Sequence, residues 1–166
     1  GCYGCLGDVA VDCEAIAVDA ENRRILLLSK RDKHPGLYAL PLVIQPEDSL
    51  YTAKSIARIT TLPRPTLKDL TEKYGKYRSQ PTAMDLSSDG RALVILTYKH
   101  VYVYRRLPGS TWAQAVQDLP ETITLPLPNT GELVQREALC MDHATGRIFV
   151  TTEQLPAPVY RLDPIR

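Results

Sequence analysis

Three stretches of the chain repeat one order of apolar and polar positions. Each opens on a short alternating run, turns on Asn, Asp or Gly, continues in a nearly unbroken apolar run, and ends in a third segment carrying Tyr. The first is "EAIAVDAENRRILLLSK", residues 14–30, followed by "LYALPL". The second is "TAMDLSSDGRALVILTYKHVYVYRR", residues 82–106, and the third is "EALCMDHATGRIFVTTE", residues 137–153, followed by "VYRLDP". Alternation predicts half-buried strands. The unbroken runs "RILLLS", "ALVILT" and "RIFVTT" predict strands covered on both faces, as in sheets stacked on one another. Asp89-Gly90 and Thr145-Gly146 put glycine where a tight hairpin turn needs positive φ.

The match between the first and third stretches runs residue by residue. Ile16 answers Leu139, Val18 answers Met141, Asp19 answers Asp142, Arg24 answers Arg147, and Ser29 answers Thr152. Both then pass through a short loop with Pro, "KHPG" or "LPAP", before Leu37-Tyr38 and Val159-Tyr160. Segments 52–63 and 121–128 read as fourth strands, β-branched and ended by prolines. Two short helices are expected in the links. "PTLKDLTEKYGKY" starts at Pro65 or Thr66 with Leu67, Leu70 and Tyr74 on one face, and "STWAQAV" is capped by Ser110, with Trp112 packing it onto a sheet edge.

Units of four antiparallel strands, recurring at spacings of 68 and 55 residues, are the sequence signature of β-propeller blades. "DCEAIAVDAENRRILLLSKR" with "LYALPL", "TAMDLSSDGRALVILTY" and "EALCMDHATGRIFVTTE" with "VYRLDP" resemble a largely uncharacterised group of bacterial six-bladed β-propeller proteins. The resemblance implies an all-β, propeller-like fold of three blades, with repeats at about 12–63, 80–128 and 135–166 in a single half-propeller domain. Three blades cannot close a ring, and the third lacks its fourth strand, so open sheet faces and edges remain. Either residues before Asp12 supply a strand, or a second copy adds three more blades. A two-fold homodimer is therefore expected, with residues 7–10 helping to close a blade edge.

Within that fold the first strand of each blade faces a central channel. Alternation puts Glu14, Ile16 and Val18 on one face and Cys13, Ala15 and Ala17 on the other. Glu14 and Glu137 occupy equivalent positions at the channel mouth, and Thr82 takes that place in the middle repeat. Two carboxylates so placed need a cation or raised pKa values, and carboxylate oxygens suit calcium. The alternative is that each Glu simply accepts backbone hydrogen bonds. Two functions follow as expectations: a binding or interaction module for a small-molecule or protein ligand, or a calcium-dependent, phosphatase- or lactonase-like hydrolase with Glu14 and Glu137 as metal ligands. No Ser-His-Asp arrangement, H-E-x-x-H motif or phosphate-cradling glycine loop is present.

Composition narrows the partners without naming one. The 166 residues carry a net charge of +1, with 44% hydrophobic and 23% charged residues, which argues against a nucleic-acid binder. No apolar run is long enough to span a bilayer, and no partner membrane is expected. The basic loop "SKRDKH", residues 29–34, could meet a phosphate or an acidic partner, but reads first as a solvated hairpin loop. Cys2 and Cys5 have C-x-x-C spacing but lack the following helix of a redox motif, and with Cys13 and Cys140 they offer no zinc set. Incidental or paired thiols are the plainer reading. The N-terminus does not read as a signal peptide, while the resemblance implies a secreted or periplasmic setting.

Overall fold

The computed structural model describes residues 2–6, 9–43, 51–126 and 134–163, with side chains described from residue 11 onward. The fold is all-β, and the described residues build three antiparallel sheets with two four-residue helices in the links. The first sheet has five strands in chain order: β1 (Cys2–Leu6), β2 (Val9–Asp19), β3 (Arg24–Ser29), β4 (Gly36–Pro41) and β5 (Lys54–Arg58). The second comprises β6 (Pro81–Leu86), β7 (Ala92–Thr97), β8 (His100–Arg105) and β9 (Glu121–Thr124). The third comprises β10 (Arg136–Met141), β11 (Ile148–Thr152) and β12 (Tyr160–Leu162).

Side-chain alternation decides the stacking. Ala15, Ala17, Leu26 and Leu28 of the first sheet share a core with Met84, Leu86, Leu93 and Ile95 of the second. The opposite face of the second sheet, including Val94, Leu96, Val101 and Val103, packs with Met141, Ile148 and Val150 of the third. The second sheet is thus enclosed on both faces, which explains why all six residues of β7 are buried. β2 lies beside β6, and β6 beside β10, so the three first strands run next to one another through the stack. Asp85 ties two of them, because its Oδ2 accepts the Met141 amide at 2.7 Å.

The stack does not close on itself. Ile16 and Val18 are 53% and 52% exposed, whereas Met84 and Leu86, which match them in the second repeat, are each 3% exposed. At the other end Ala138 and Cys140 are exposed, whereas their counterparts Ala15 and Ala17 are buried. Among the described residues, one terminal face has no preceding sheet and the other no following one.

Several sequence expectations need correction. Residues 2–6 and 9–13 pair as a β1–β2 hairpin within the first sheet, so within this chain they do not supply the third sheet with a strand. Gly7 and Asp8 lie outside the described residues, as do the side chains of Cys2 and Cys5. The helix in the first link, α1 (Leu67–Leu70), is capped by Thr66 in a reciprocal box with Asp69. Its apolar face is not buried: Leu67, Leu70 and Tyr74 are exposed, and the buried residue is Asp69. A 3-10 turn at Gly75–Tyr77 follows at once, and a Cβ on Gly75 would lie 1.6 Å from the Asp69 carbonyl oxygen. The second helix, α2 (Trp112–Ala115), is capped by Thr111 with Gln114 rather than by Ser110, whose hydroxyl donates to the Leu107 carbonyl. Trp112, expected to pack the helix onto a sheet edge, goes further and enters the core between the first and second sheets together with Val116.

Candidate functional site

The three positions singled out by the repeat share a backbone feature that the sequence did not reveal. In β2 the pairing register with β3 shifts between Cys13 and Ala15, leaving Glu14 as the extra residue of a β-bulge. The same shift occurs between Pro81 and Ala83 in β6 and between Arg136 and Ala138 in β10, leaving Thr82 and Glu137 as the extra residues. A bulge re-aims the side chain it carries and is a designed element rather than a defect. Opposite each bulge sits a hydroxyl residue, Ser29, Thr97 or Thr152, and all three are buried.

The residue after each hydroxyl completes the site. Lys30 follows Ser29, Tyr98 follows Thr97, and Glu153 follows Thr152. The Lys30 amide donates to the Asp12 carbonyl and the Glu153 amide to the Gln135 carbonyl, at 2.9 and 3.0 Å, so these positions are equivalent. The Lys30 ammonium donates to Glu14 Oε2, lies 4.0 Å from Glu137 Oε2, and sits 5.3 Å from the centre of the Tyr98 ring. Tyr98 in turn donates its hydroxyl to Glu137 Oε1 at 2.6 Å. Carboxylates from the first and third sheets therefore meet at one ammonium. Thr82, between them in the order of strands, is buried, and its hydroxyl has no hydrogen-bond partner among the described residues.

Burial and charge set the proton affinities. Burial works against the Lys30 ammonium, but the hydrogen bonds to Glu14 and Tyr98 and the charge of Glu137 outweigh it and hold Lys30 above its ordinary range. Glu137 is raised chiefly by burial, with the charges of Glu153 and Glu14 adding to it and Tyr98 and Lys30 opposing. Tyr98 is pushed up to about 12, first by burial and then by its hydrogen bond to Glu137. Lys30 thus supplies the counter-charge that two facing carboxylates require. Among the described residues no group of three or more His, Cys, Asp or Glu side chains is placed to hold a metal ion.

Arg136, the residue before the third bulge, supports the site from behind. It is fully buried, donates to the Tyr98 carbonyl at 2.6 Å and to the Pro126 carbonyl, and lies 5.7 Å from the Tyr160 ring centre. Neither Lys30, Tyr98 nor Arg136 stands out in the sequence. The signal that could have found the first two was present, because "LSK", "LTY" and "TTE" end the three matched middle strands. Asp19, Asp89 and Asp142 serve their turns: Asp19 accepts from Asn22 and Arg24, Asp89 from Ser87 and Arg91, and Asp142 from Ala144 and Thr145.

No family model matches the chain, and no curated protein matches it. Among solved structures the fold is similar to that of a luciferin-regenerating enzyme, with a TM-score of 0.54 and 11% sequence identity. The likeness covers 93% of this chain but 45% of that one, so the chain spans less than half the length of its structural relative. At this identity the likeness concerns the fold alone. Among the described residues no helix is long and apolar enough to cross a membrane.

Proposed function

We propose that the three sheets are half of a propeller-like ring, completed by a second copy of the chain, and that the ring serves as a binding or interaction module. The observation that carries this reading is the complementarity of the two open faces. Ile16 and Val18 display the surface that the second and third sheets bury against the sheet before them. Ala138 and Cys140 display the surface that the first sheet buries through Ala15 and Ala17, and the second half-buries through Ala83 and Asp85, against the sheet after it. A second copy, turned by a two-fold axis, offers each face the counterpart it has inside the chain. The structurally similar chain is more than twice the matched length, which leaves room for as many sheets again.

The polar cluster favours binding over hydrolysis. A calcium-dependent hydrolase would use Glu14 and Glu137 as metal ligands, yet both carboxylates already face the Lys30 ammonium. In the ring two such clusters face each other across the axis, presenting carboxylates, ammonium and phenol to a polar ligand. Light scattering at micromolar concentration tests the assembly. Twice the chain mass of 18.5 kDa is expected, and a well-folded monomer with no tendency to associate would refute the half-ring.

A further inference from the structure

A cavity that adjoins the carboxylate cluster through Lys30 has the chemistry of an anion site. It is a cleft of ≈ 340 Å³ between the β3–β4 loop and the link that carries α1 and the 3-10 turn. Five cationic residues reach it, against one acid, Asp32. Two of the cations are neutralised nearby, Lys30 by Glu14 and Arg31 by Asp12 at 2.9 Å. Asp32 is itself committed to Arg58 at 2.9 Å and to the Ser29 hydroxyl at 2.7 Å. Lys33, Arg64 and Lys76 remain, and among the described residues no carboxylate forms an ion pair with any of them.

Two of these cations, Arg64 and Lys76, come from parts of the chain that are held in place. Arg64 lies between Pro63 and Pro65, which restrict its backbone. Lys76 lies in the turn that Gly75 allows to press against the Asp69 carbonyl. Asp69 is in turn fixed by Lys99 at 2.8 Å and Arg78 at 3.5 Å. The hydroxyl of Ser79 and the amide of Gln80 add hydrogen-bonding groups, while Leu62, Leu70, Pro35 and Pro81 form an apolar wall. Uncompensated positive charge, an Arg fork and an apolar wall in a cleft of small-ligand size describe a ligand with one dianionic end and a non-polar body.

We propose that this cleft binds a phosphomonoester with a small apolar or ring-shaped body. The site lies wholly within one chain and does not depend on completion of the ring. Phenyl phosphate, inorganic phosphate and phenol are the probes, titrated calorimetrically into the full chain. Phenyl phosphate is expected to bind, more tightly than inorganic phosphate, and phenol to give no binding. Arg64→Gln and Lys76→Gln are each expected to weaken phenyl phosphate about tenfold or more, the scale of one charge-assisted hydrogen bond. Both side chains are exposed, so the variants should melt like the parent. Lys54→Gln, an exposed change on β5 outside the cleft, is expected to leave the affinity unaltered. Failure of phenyl phosphate to bind, equal binding of inorganic phosphate, unchanged affinity in both cleft variants, or an equal loss in Lys54→Gln would each overturn the assignment.

Discussion

Arg23 adopts a φ of 50° at the turn position that the second and third repeats give to Gly90 and Gly146, at 65° and 68°. A side chain in this left-handed region carries a steric cost that glycine avoids. Arg23→Gly is therefore expected to stabilise the chain by about 0.5–1 kcal/mol. Gly90→Ala should cost about 1–2 kcal/mol, since its Cβ would lie 2.9 Å from Glu21 Oε2 in a strained backbone. Chemical denaturation of both variants checks the pair, and the opposite order would break the equivalence of the three turns.

Lys30 is the residue on which the carboxylate cluster depends. Lys30→Met leaves Glu14 and Glu137 without their shared ammonium and should cost about 1–3 kcal/mol, reduced from the fully buried case because Glu14 remains partly exposed. Glu137→Gln keeps an acceptor for Tyr98 and removes one of two like charges, so its effect should stay within about 1 kcal/mol. Calcium should not shift the melting temperature of the parent, because the ammonium already fills the role of counter-ion. A calcium-dependent stabilisation lost in Glu137→Gln would restore the metal reading.

At the scale of elements, the hairpins and the helix in each of the two links were legible, whereas the face that α1 buries and the cap of α2 were not. The turns with Asp89-Gly90 and Thr145-Gly146, the apolar middle strands and the alternation that exposes Ile16 and Val18 follow from period and turn chemistry. The bulges were hidden because a register shift inserts one residue without changing composition, and Lys30 and Tyr98 were hidden because only the bulge brings them to the carboxylates. The face of α1 was misread for a related reason: Leu67 and Leu70 have helical spacing, but a helix of one turn is positioned by its buried ion pairs instead.

Asp69 makes that last point measurable. Burial alone would raise its pKa, but hydrogen bonds from Lys99 and Thr66 and the charge of Lys99 more than reverse this and hold it below its ordinary value. A lowered folded-state pKa contributes stability that is present above about pH 4 and lost as the pH falls below it. Asp69→Asn should therefore cost about 3 kcal/mol near neutrality and make the loss of stability between about pH 4 and 2 shallower than in the parent. Urea denaturation across that range is the measurement. An unchanged slope would mean that the ion pairs to Lys99 and Arg78 do not hold the link.

At the scale of the whole molecule, the two open faces differ, and this difference predicts how association should respond to variants. A ring made from two three-sheet halves contains two interfaces, each joining the Ile16–Val18 face of one copy to the Ala138–Cys140 face of the other. Ile16→Asp with Val18→Asp damages the first face, and Ala138→Arg damages the second. All three positions are exposed, so the chains should remain folded. Each variant alone has a damaged face in both interfaces and is expected to run as a monomer. An equimolar mixture can place both damaged faces in one interface and leave the other intact, so it should regain a weaker but measurable heterodimer. Sedimentation velocity of each variant and of the mixture distinguishes this from pairing of like faces. If Ala138→Arg leaves the dimer untouched while the Ile16–Val18 variant dissolves it, the copies join through a single self-complementary face and no six-sheet ring is formed.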